Sequence, residues 1–137
     1  MTLFVDTSAF YAVVDRGDRV NRRAGQVLGS GERLLTTDHV LVESWRLIRS
    51  RLGRRAAERF WSELRGGVAE LEPVGPADLD VAWEIGRDFP DQDFSIVDRT
   101  SFAVMRRLGI SRAASFDDHF AVFRFGPNRE RAFEVLR

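Results

Sequence analysis

Four carboxylate side chains stand where a strand is predicted to end or a helix to begin: Asp6, Glu43, Asp98 and Asp117. Asp6 follows the apolar run at residues 3–5, and Asp117 follows a second short run at residues 113–116. Glu43 and Asp98 fall in the first turns of predicted helices. In an open parallel sheet, the ligand crevice lies at the carboxyl ends of the strands. We therefore predict that the four acids share one acidic pocket, which a cation would neutralise.

Each acid taken alone also fits a simpler role at the start of a helix. Asp6 precedes two hydroxyl residues and could cap the first helix. Asp98 lies three residues after Ser95, which is the spacing of a capping box. Glu43 lies where the helix dipole favours acids, and Asp117 begins a short turn. Four acids on one edge of one sheet are harder to explain by capping alone.

Carboxylates gathered in one place require compensation. Each close pair repels by about 4 kcal/mol at a separation of about 4 Å when the effective dielectric constant is about 20. A fold that gathers them must protonate some or bind a cation. Oxygen ligands without cysteine favour Mg²⁺ or Mn²⁺ over zinc. Such a site suits phosphodiester hydrolysis, because the metal polarises a phosphoryl oxygen and lowers the pKa of a bound water.

The composition excludes several other classes of protein. A chain of 137 residues fits one domain. The absence of cysteine excludes disulfides, thiolate zinc sites and cysteine nucleophiles. All 21 basic residues are arginine, so a Walker A loop and a Schiff-base lysine are excluded too. Apolar runs are too short to span a membrane and the N-terminus is unlike a signal peptide, so we expect a cytoplasmic protein with no membrane partner.

The elements that must position the acids alternate between strands and helices. Strands are predicted at residues 3–5, 33–37, 68–72, 112–115 and 132–136, with a helical turn as the alternative for the last. Helices are predicted at residues 7–14, 20–28, 76–87 and 95–108, and along a stretch from residue 38 that Gly53 breaks in two. This alternation predicts a single domain over residues 1–137, with an α/β fold of three layers and a mainly parallel sheet of four or five strands.

Four ordered segments carry a resemblance to a known family: FVDTSA at residues 4–9, VLVE at 40–43, DFSIVD at 93–98 and SFDDHF at 115–120. Each segment is weak alone, but their order and spacing resemble those of the PIN-domain family. Within that family the chain looks most like the bacterial VapC-type toxins. The resemblance covers essentially the whole chain. It implies a PIN-like parallel-sheet fold and Mg²⁺- or Mn²⁺-dependent endoribonuclease activity as the toxin of a toxin–antitoxin pair.

The resemblance also implies roles for individual residues. Asp6 and Asp98 match the main metal ligands, and Glu43 and Asp117 complete the acidic quartet. Thr7 or Ser8 matches the small hydroxyl residue that supports the first acid. Asp118 remains an alternative to Asp117, because the fourth segment offers two adjacent aspartates. Asp91 and Asp93 lie near Asp98 in the sequence and could also face the pocket.

The basic residues and the histidines are less specific signals. Neither His39 nor His119 has the spacing of a zinc motif, so we predict surface or capping roles for both. Six arginines of one helical region could supply phosphate contacts, or could form a solvated face that pairs with Glu58 and Glu63. These arginines are Arg46, Arg49, Arg51, Arg54, Arg55 and Arg59.

The resemblance further implies an RNA substrate, a homodimer and a small cognate antitoxin as partner. Val27, Trp45 and Trp61 are candidates for the antitoxin contact if they are exposed. Two other readings compete. A dehalogenase-type phosphatase needs a second aspartate where Ser8 stands, and a response-regulator receiver needs a lysine. A non-catalytic or differently specific PIN-like nucleic-acid-binding module, or a nuclease for DNA, remains the alternative.

Overall fold

Five parallel strands form one sheet in the computed structural model, which describes residues 1–137. The strands are β1 (Thr2–Val5), β2 (Arg33–Thr37), β3 (Glu70–Glu72), β4 (Arg112–Ala114) and β5 (Glu134–Leu136), in the order β3-β2-β1-β4-β5. The helices are α1 (Thr7–Val14), α2 (Asn21–Leu28), α3 (Asp38–Leu52), α4 (Arg54–Arg65), α5 (Pro76–Asp88), α6 (Ile96–Leu108) and α7 (His119–Val122). The predicted three-layer α/β/α fold with a parallel sheet is confirmed.

The central strand β1 decides where a ligand crevice opens. Leu3, Phe4 and Val5 are fully buried, and β1 pairs with β2 on one side and with β4 on the other. A strand covered on both faces reads as a continuous apolar run, as these residues do. The direction of strand progression reverses between β1 and β4, which places the crevice at their carboxyl ends. Asp6 and Ser115 directly follow these two strands.

Local sequence signals set the helix boundaries. The Oγ1 of Thr37 accepts a hydrogen bond of 3.1 Å from the backbone N–H of Val40 and so caps α3. Gly53 has a φ of 98°, a conformation that favours glycine, and it separates α3 from α4 as predicted. Ser95 and Asp98 form the predicted capping box of α6. None of the helices combines the length and the apolar character that a membrane crossing requires.

The C-terminal third confirms the predicted last strand and adds one short helix. The final strand pairs in parallel with β4, so the alternative of a helical turn there was wrong. The predicted turn after Asp117 contains the short helix α7, which places Phe120 and Phe123 against Phe102. Their ring centroids lie 4.9 and 4.3 Å from that of Phe102. Burial of these aromatic rings anchors α7 to α6 and therefore fixes the side chains just before Phe120.

Candidate active site

Asp6 lies at the carboxyl end of β1, and only 3% of its surface is exposed. Its Oδ2 accepts hydrogen bonds of 2.9 Å from the hydroxyls of Ser8 and Ser115. Although Asp6 occupies the N-cap position of α1, its side chain makes no capping hydrogen bond. Helix capping therefore does not account for this buried carboxylate, which is held between the ends of β1 and β4.

The environment of Asp6 disfavours its charged form. Burial raises the pKa of Asp6 to about 6, and the charge of Asp98 adds to this effect. The hydrogen bonds from Ser115 and Ser8 oppose it without cancelling it. A buried carboxylate beside a like charge either takes up a proton or gains a cation as neighbour. The electrostatics at Asp6 therefore favour a neighbouring cation.

Three hydroxyl residues orient the two acids nearest to α1. Ser8 supports Asp6, while Thr7 donates a hydrogen bond of 2.5 Å from its Oγ1 to the Oε1 of Glu43. The two residues considered as alternatives for one supporting role therefore each support a different acid. Ser115 is a third such residue, which the sequence analysis missed. The sequence shows a hydroxyl residue at the end of this strand, but not that the strand lies beside β1.

Glu43 belongs to the same electrostatic site, although it is carried by α3. Its side chain is half-buried, and burial is the main cause that raises its pKa above the usual range. The hydrogen bond from Thr7 lowers the pKa, and the charges of Asp98 and Asp117 raise it. Of the two acids in α3, Glu43 lies toward the aspartates, whereas Asp38 accepts a hydrogen bond from the backbone N–H of Val74. This placement explains an acid among apolar neighbours in the sequence.

The tightest cluster joins Asp98, Asp117 and His119. One potential ligand atom from each of these residues lies within 4.8 Å of those of the other two. The Nδ1 of His119 is 2.7 Å from Oδ2 of Asp98 and 3.4 Å from Oδ1 of Asp117. Asp98 also accepts the capping hydrogen bond from the backbone N–H of Ser95. Asp98 therefore caps helix α6 and belongs to the cluster at the same time.

His119 is a site residue that the sequence analysis placed elsewhere. We predicted a surface or capping role, whereas the structure brings its ring to the aspartates. Burial by itself would lower the pKa of His119. The hydrogen bond of its Nδ1 to the carboxylate of Asp98 and the charges of Asp98, Asp117 and Asp93 outweigh burial and raise the pKa. No spacing motif marks this residue, because α7 brings it to Asp98 through tertiary packing.

The remaining candidate acids lie outside the cluster. The carboxylate of Asp118 is paired with Arg137 at 2.8 Å, and 84% of its side chain is exposed. Asp117, in contrast, accepts the backbone N–H of His119 and lies in the cluster. Asp91 and Asp93 are both exposed, and Asp93 acts on the cluster only through its charge. The geometry therefore favours Asp117 over Asp118.

The donor set fits a hard divalent cation. The tight cluster offers oxygen atoms from Asp98 and Asp117 and one nitrogen from His119, while Asp6 and Glu43 lie outside it and are coupled to it by charge. Mg²⁺ and Mn²⁺ prefer such oxygen-rich sites, and no thiolate is available for a softer metal. The raised pKa values of Asp6 and Glu43 also fit a cation site, because a bound cation would favour the ionised forms of both acids. The pairing of Asp6 with Asp98 as direct ligands stays a prediction.

Comparison with known proteins agrees with this geometry. One relative is the 23S rRNA-specific endonuclease VapC20 of Mycobacterium tuberculosis. It is 38% identical over 125 residues, covering 90% of this chain and 95% of that protein. The ribonuclease VapC26 of the same species is 27% identical over 124 residues, covering 89% and 92%.

Solved structures show the same fold. The crystal structure of M. tuberculosis VapC20, described as a sarcin–ricin loop cleaving toxin, superposes with a TM-score of 0.83 at 36% identity, covering 87% of this chain and 92% of that one. VapBC2 of Rickettsia felis, bound to a promoter DNA fragment, gives a TM-score of 0.65 at 8% identity over 86% and 89%, which shows the fold alone. A family model described as the PIN domain matches residues 3–126. The chain therefore belongs to the PIN domain family.

Proposed function

We propose that this protein is a Mg²⁺- or Mn²⁺-dependent endoribonuclease and the toxin of a type II toxin–antitoxin pair. The observation that carries the proposal is the convergence of Asp6, Glu43, Asp98 and Asp117 at the crevice between β1 and β4. The identity of 38% to an endonuclease over most of both chains supports the same reaction class. Residues 1–137 form the single domain that carries this activity.

Each acid receives a role in the proposed site. Asp6 and Asp98 would hold the metal, which supplies a Lewis acid for a phosphoryl oxygen and a lower pKa for a bound water. Glu43 and Asp117 complete the acidic set. Glu43 is fixed by Thr7 and has a raised pKa, so its carboxylate is suited to accept a proton from the attacking water. His119 holds Asp98 in place through its Nδ1.

The proposed substrate is 23S ribosomal RNA, which is the substrate named for the relative VapC20. The sarcin–ricin loop named for that structure is the first region to examine. A ribosomal substrate places the proposed activity in the cytoplasm.

Cleavage of ribosomal RNA by the purified protein is the test. Bacterial ribosomes would be incubated with Mg²⁺ or Mn²⁺, and new 5′ ends in the 23S rRNA mapped by primer extension. We expect a defined cut that EDTA abolishes and that Asp6→Asn and Asp98→Asn each reduce by at least about 100-fold. Cleavage that persists in EDTA and in both variants would refute the proposed metal mechanism.

The partner proteins are proposed on separate grounds. Trp61 is 44% exposed and borders an apolar cavity of about 230 Å³ with Leu41, Val42 and Trp45. We propose this surface for the cognate antitoxin and expect the toxin itself to be a homodimer. Val27, the other candidate, is buried in the core and cannot serve a partner. Light scattering of the toxin alone and with the protein encoded by a neighbouring short reading frame tests both assignments.

A further inference from the structure

A second cavity lies beside the acidic site and shares Glu43 with it. It has a volume of about 370 Å³ and is lined by His39, Val42, Glu43, Arg46 and Val97. The first wall is one face of α3, because residues 39, 43 and 46 follow the spacing of successive helix turns. The second wall is the start of α6, where Val97 precedes Asp98. The cavity is thus continuous with the acidic site through Glu43.

Arg46 is the positive charge of this cavity, and it has no partner in the protein. Its guanidinium makes no hydrogen bond and lies within ion-pair distance of no carboxylate. Of the other arginines of this region, Arg54 pairs with Glu58 at 3.3 Å, and Arg51 lies over the ring of Tyr11. Arg55 and Arg59 are also unpaired, but Arg46 is the arginine that lines this cavity. An unpaired guanidinium one turn after Glu43 is therefore free to bind an anion from outside.

His39 adds a second polar group to the same wall. Its Nδ1 is 3.5 Å from the hydroxyl of Thr100, which in turn donates a hydrogen bond of 3.1 Å to the carbonyl of Val97. This arrangement leaves Nε2 as the ring nitrogen without a partner. The remaining lining is apolar, from Val42 and Val97. A cation, a polar ring and an apolar floor suit a nucleotide better than a simple ion.

Electrostatics give the reason for a cation at this place. An RNA strand that enters the site brings phosphates toward a cluster of carboxylates, which repels them. A bound metal would offset this repulsion at the scissile phosphate, and the neighbouring phosphate would need a cation of its own. A guanidinium fork binds a phosphate through two parallel hydrogen bonds and offsets the repulsion locally. With a formal net charge of zero, the chain has no global field to do so.

We propose that this cavity binds the nucleotide next to the scissile phosphate, with Arg46 contacting its phosphate and His39 contacting the same nucleotide through Nε2. The inference rests on the proposed ribonuclease function and adds to it a defined substrate subsite. Arg46 contacts substrate in this proposal but takes no part in the bond that breaks. Its loss should therefore weaken binding far more than turnover.

The first experiment compares Arg46→Ala with Arg22→Ala, which removes an exposed arginine of helix α2 that does not line the cavity. The substrate is a stem-loop RNA that contains the cut site mapped in the wild-type protein. We expect Arg46→Ala to raise KM about 10-fold or more with kcat within about 3-fold, and Arg22→Ala to change neither. The slope of log KM against log salt should fall by about 0.7 in Arg46→Ala alone.

The second experiment removes the charge from the RNA instead. A methylphosphonate replaces one phosphate at a time on either side of the cut. One position should raise KM in the wild-type protein and in Arg22→Ala, yet have little additional effect in Arg46→Ala. Arg46→Lys should lie between the wild type and Arg46→Ala, because it keeps the charge but loses the fork. This comparison of protein variants with modified RNAs is a double-mutant cycle. It detects the contact between Arg46 and the phosphate even if one variant has altered stability.

The outcomes separate this inference from the proposed function. If the wild type cleaves no RNA with either metal, the ribonuclease proposal fails first. If the wild type cleaves and Arg46→Ala has the same KM and salt slope, the subsite is refuted while the ribonuclease remains. If Arg46→Ala cleaves normally but escapes inhibition by the antitoxin, Arg46 belongs to the protein interface and the subsite is again refuted.

Discussion

At the scale of single residues, the site depends on hydroxyl side chains that hold carboxylates in an unfavourable place. Ser8 and Ser115 both donate to one oxygen of Asp6, and Thr7 donates to Glu43. These hydrogen bonds favour the ionised acids, but burial and the neighbouring charges have the larger effect, and both pKa values stay raised. In the absence of a cation, ionisation of Asp6 and Glu43 therefore lowers the free energy of unfolding.

Replacing Asp6 should reveal this cost directly. The folded-state pKa of Asp6 is about 6, above the usual 3.8, so the folded protein binds more protons between these pH values. The free energy of unfolding therefore falls as pH rises from about 4 to about 6. We expect Asp6→Asn to stabilise the protein in EDTA at neutral pH by about 1 to 3 kcal/mol. Urea unfolding measures this, and a destabilised Asp6→Asn would contradict it.

Adjacent aspartates of the fourth segment provide a matched pair of variants. Asp117 lies in the cluster with Asp98 and His119, whereas Asp118 is exposed and paired with Arg137. We expect Asp117→Asn to lower cleavage by at least about 10-fold and to weaken metal binding, because it removes a charge from the site. Asp118→Asn should leave both unchanged, because exposed ion pairs contribute little. Equal losses in the two variants would contradict the assignment of Asp117.

At the scale of secondary-structure elements, helix α6 carries the most constrained acid. Asp98 lies in the first turn of α6. Two arginines of this helix, one near each end, contact residues of α5. Arg99 donates to the carbonyls of Phe94 and Ala82, at 3.1 and 3.3 Å. Near the other end of the helix, Arg107 binds the two carboxylate oxygens of Asp78 at 2.9 and 3.0 Å. These contacts fix how far α6 projects Asp98 into the site.

Two glycines inside helices test the contact between α5 and α6. A Cβ atom at Gly86 would lie 1.9 Å from an Nη1 atom of Arg99, whereas a Cβ at Gly25 in α2 would meet nothing within 4 Å. Alanine normally stabilises a helix interior by about 1 kcal/mol relative to glycine. We expect that gain for Gly25→Ala. For Gly86→Ala we expect a net change near zero, because Arg99 must leave the carbonyl of Ala82 and the lost hydrogen bond of about 1 kcal/mol offsets the gain.

Thermal and urea unfolding of both glycine variants measure the difference. Gly86→Ala should also reduce cleavage, because Arg99 is the neighbour of Asp98 in the chain. Equal stabilisation by both variants would mean that Arg99 moves aside at no cost and does not hold α6 in place.

At the scale of the whole molecule, the sheet topology assembles the site. Acids at positions 6, 43, 98 and 117 meet because four segments end or begin at one edge of a parallel sheet. No smaller part of the chain contains the site. The charges gathered there make the stability of the whole fold depend on what neutralises them, and a ligand that binds only the folded state stabilises it.

Mg²⁺ should accordingly raise the melting temperature in a pH-dependent way. Well above pH 6, Asp6 is ionised in the folded protein and available to a cation, so a saturating concentration should stabilise the fold by about 2 kcal/mol or more. Below a pH of about 6, binding must displace a proton, so the stabilisation should be lost as pH falls. Scanning fluorimetry with and without Mg²⁺ across this range measures it. Asp98→Asn should lose the effect at every pH.

Much of the fold and of the site could be predicted from local patterns. The apolar run at residues 3–5, the break at Gly53 and the capping box from Ser95 to Asp98 each reflect interactions within a few residues. His119 and Ser115 could not be predicted in this way. His119 reaches Asp98 because Phe120 and Phe123 bury α7 against α6, and Ser115 reaches Asp6 because β4 lies beside β1.

The alternation of strands and helices, the family resemblance and the four acids could all be found from residue type and spacing along the chain. The neighbours of those acids became known only from the folded arrangement. It separated Asp117 from Asp118, assigned Thr7 and Ser8 to different carboxylates, and placed Val27 in the core. The physical reason is that hydrogen bonds and burial between distant segments follow from packing, which local spacing does not encode.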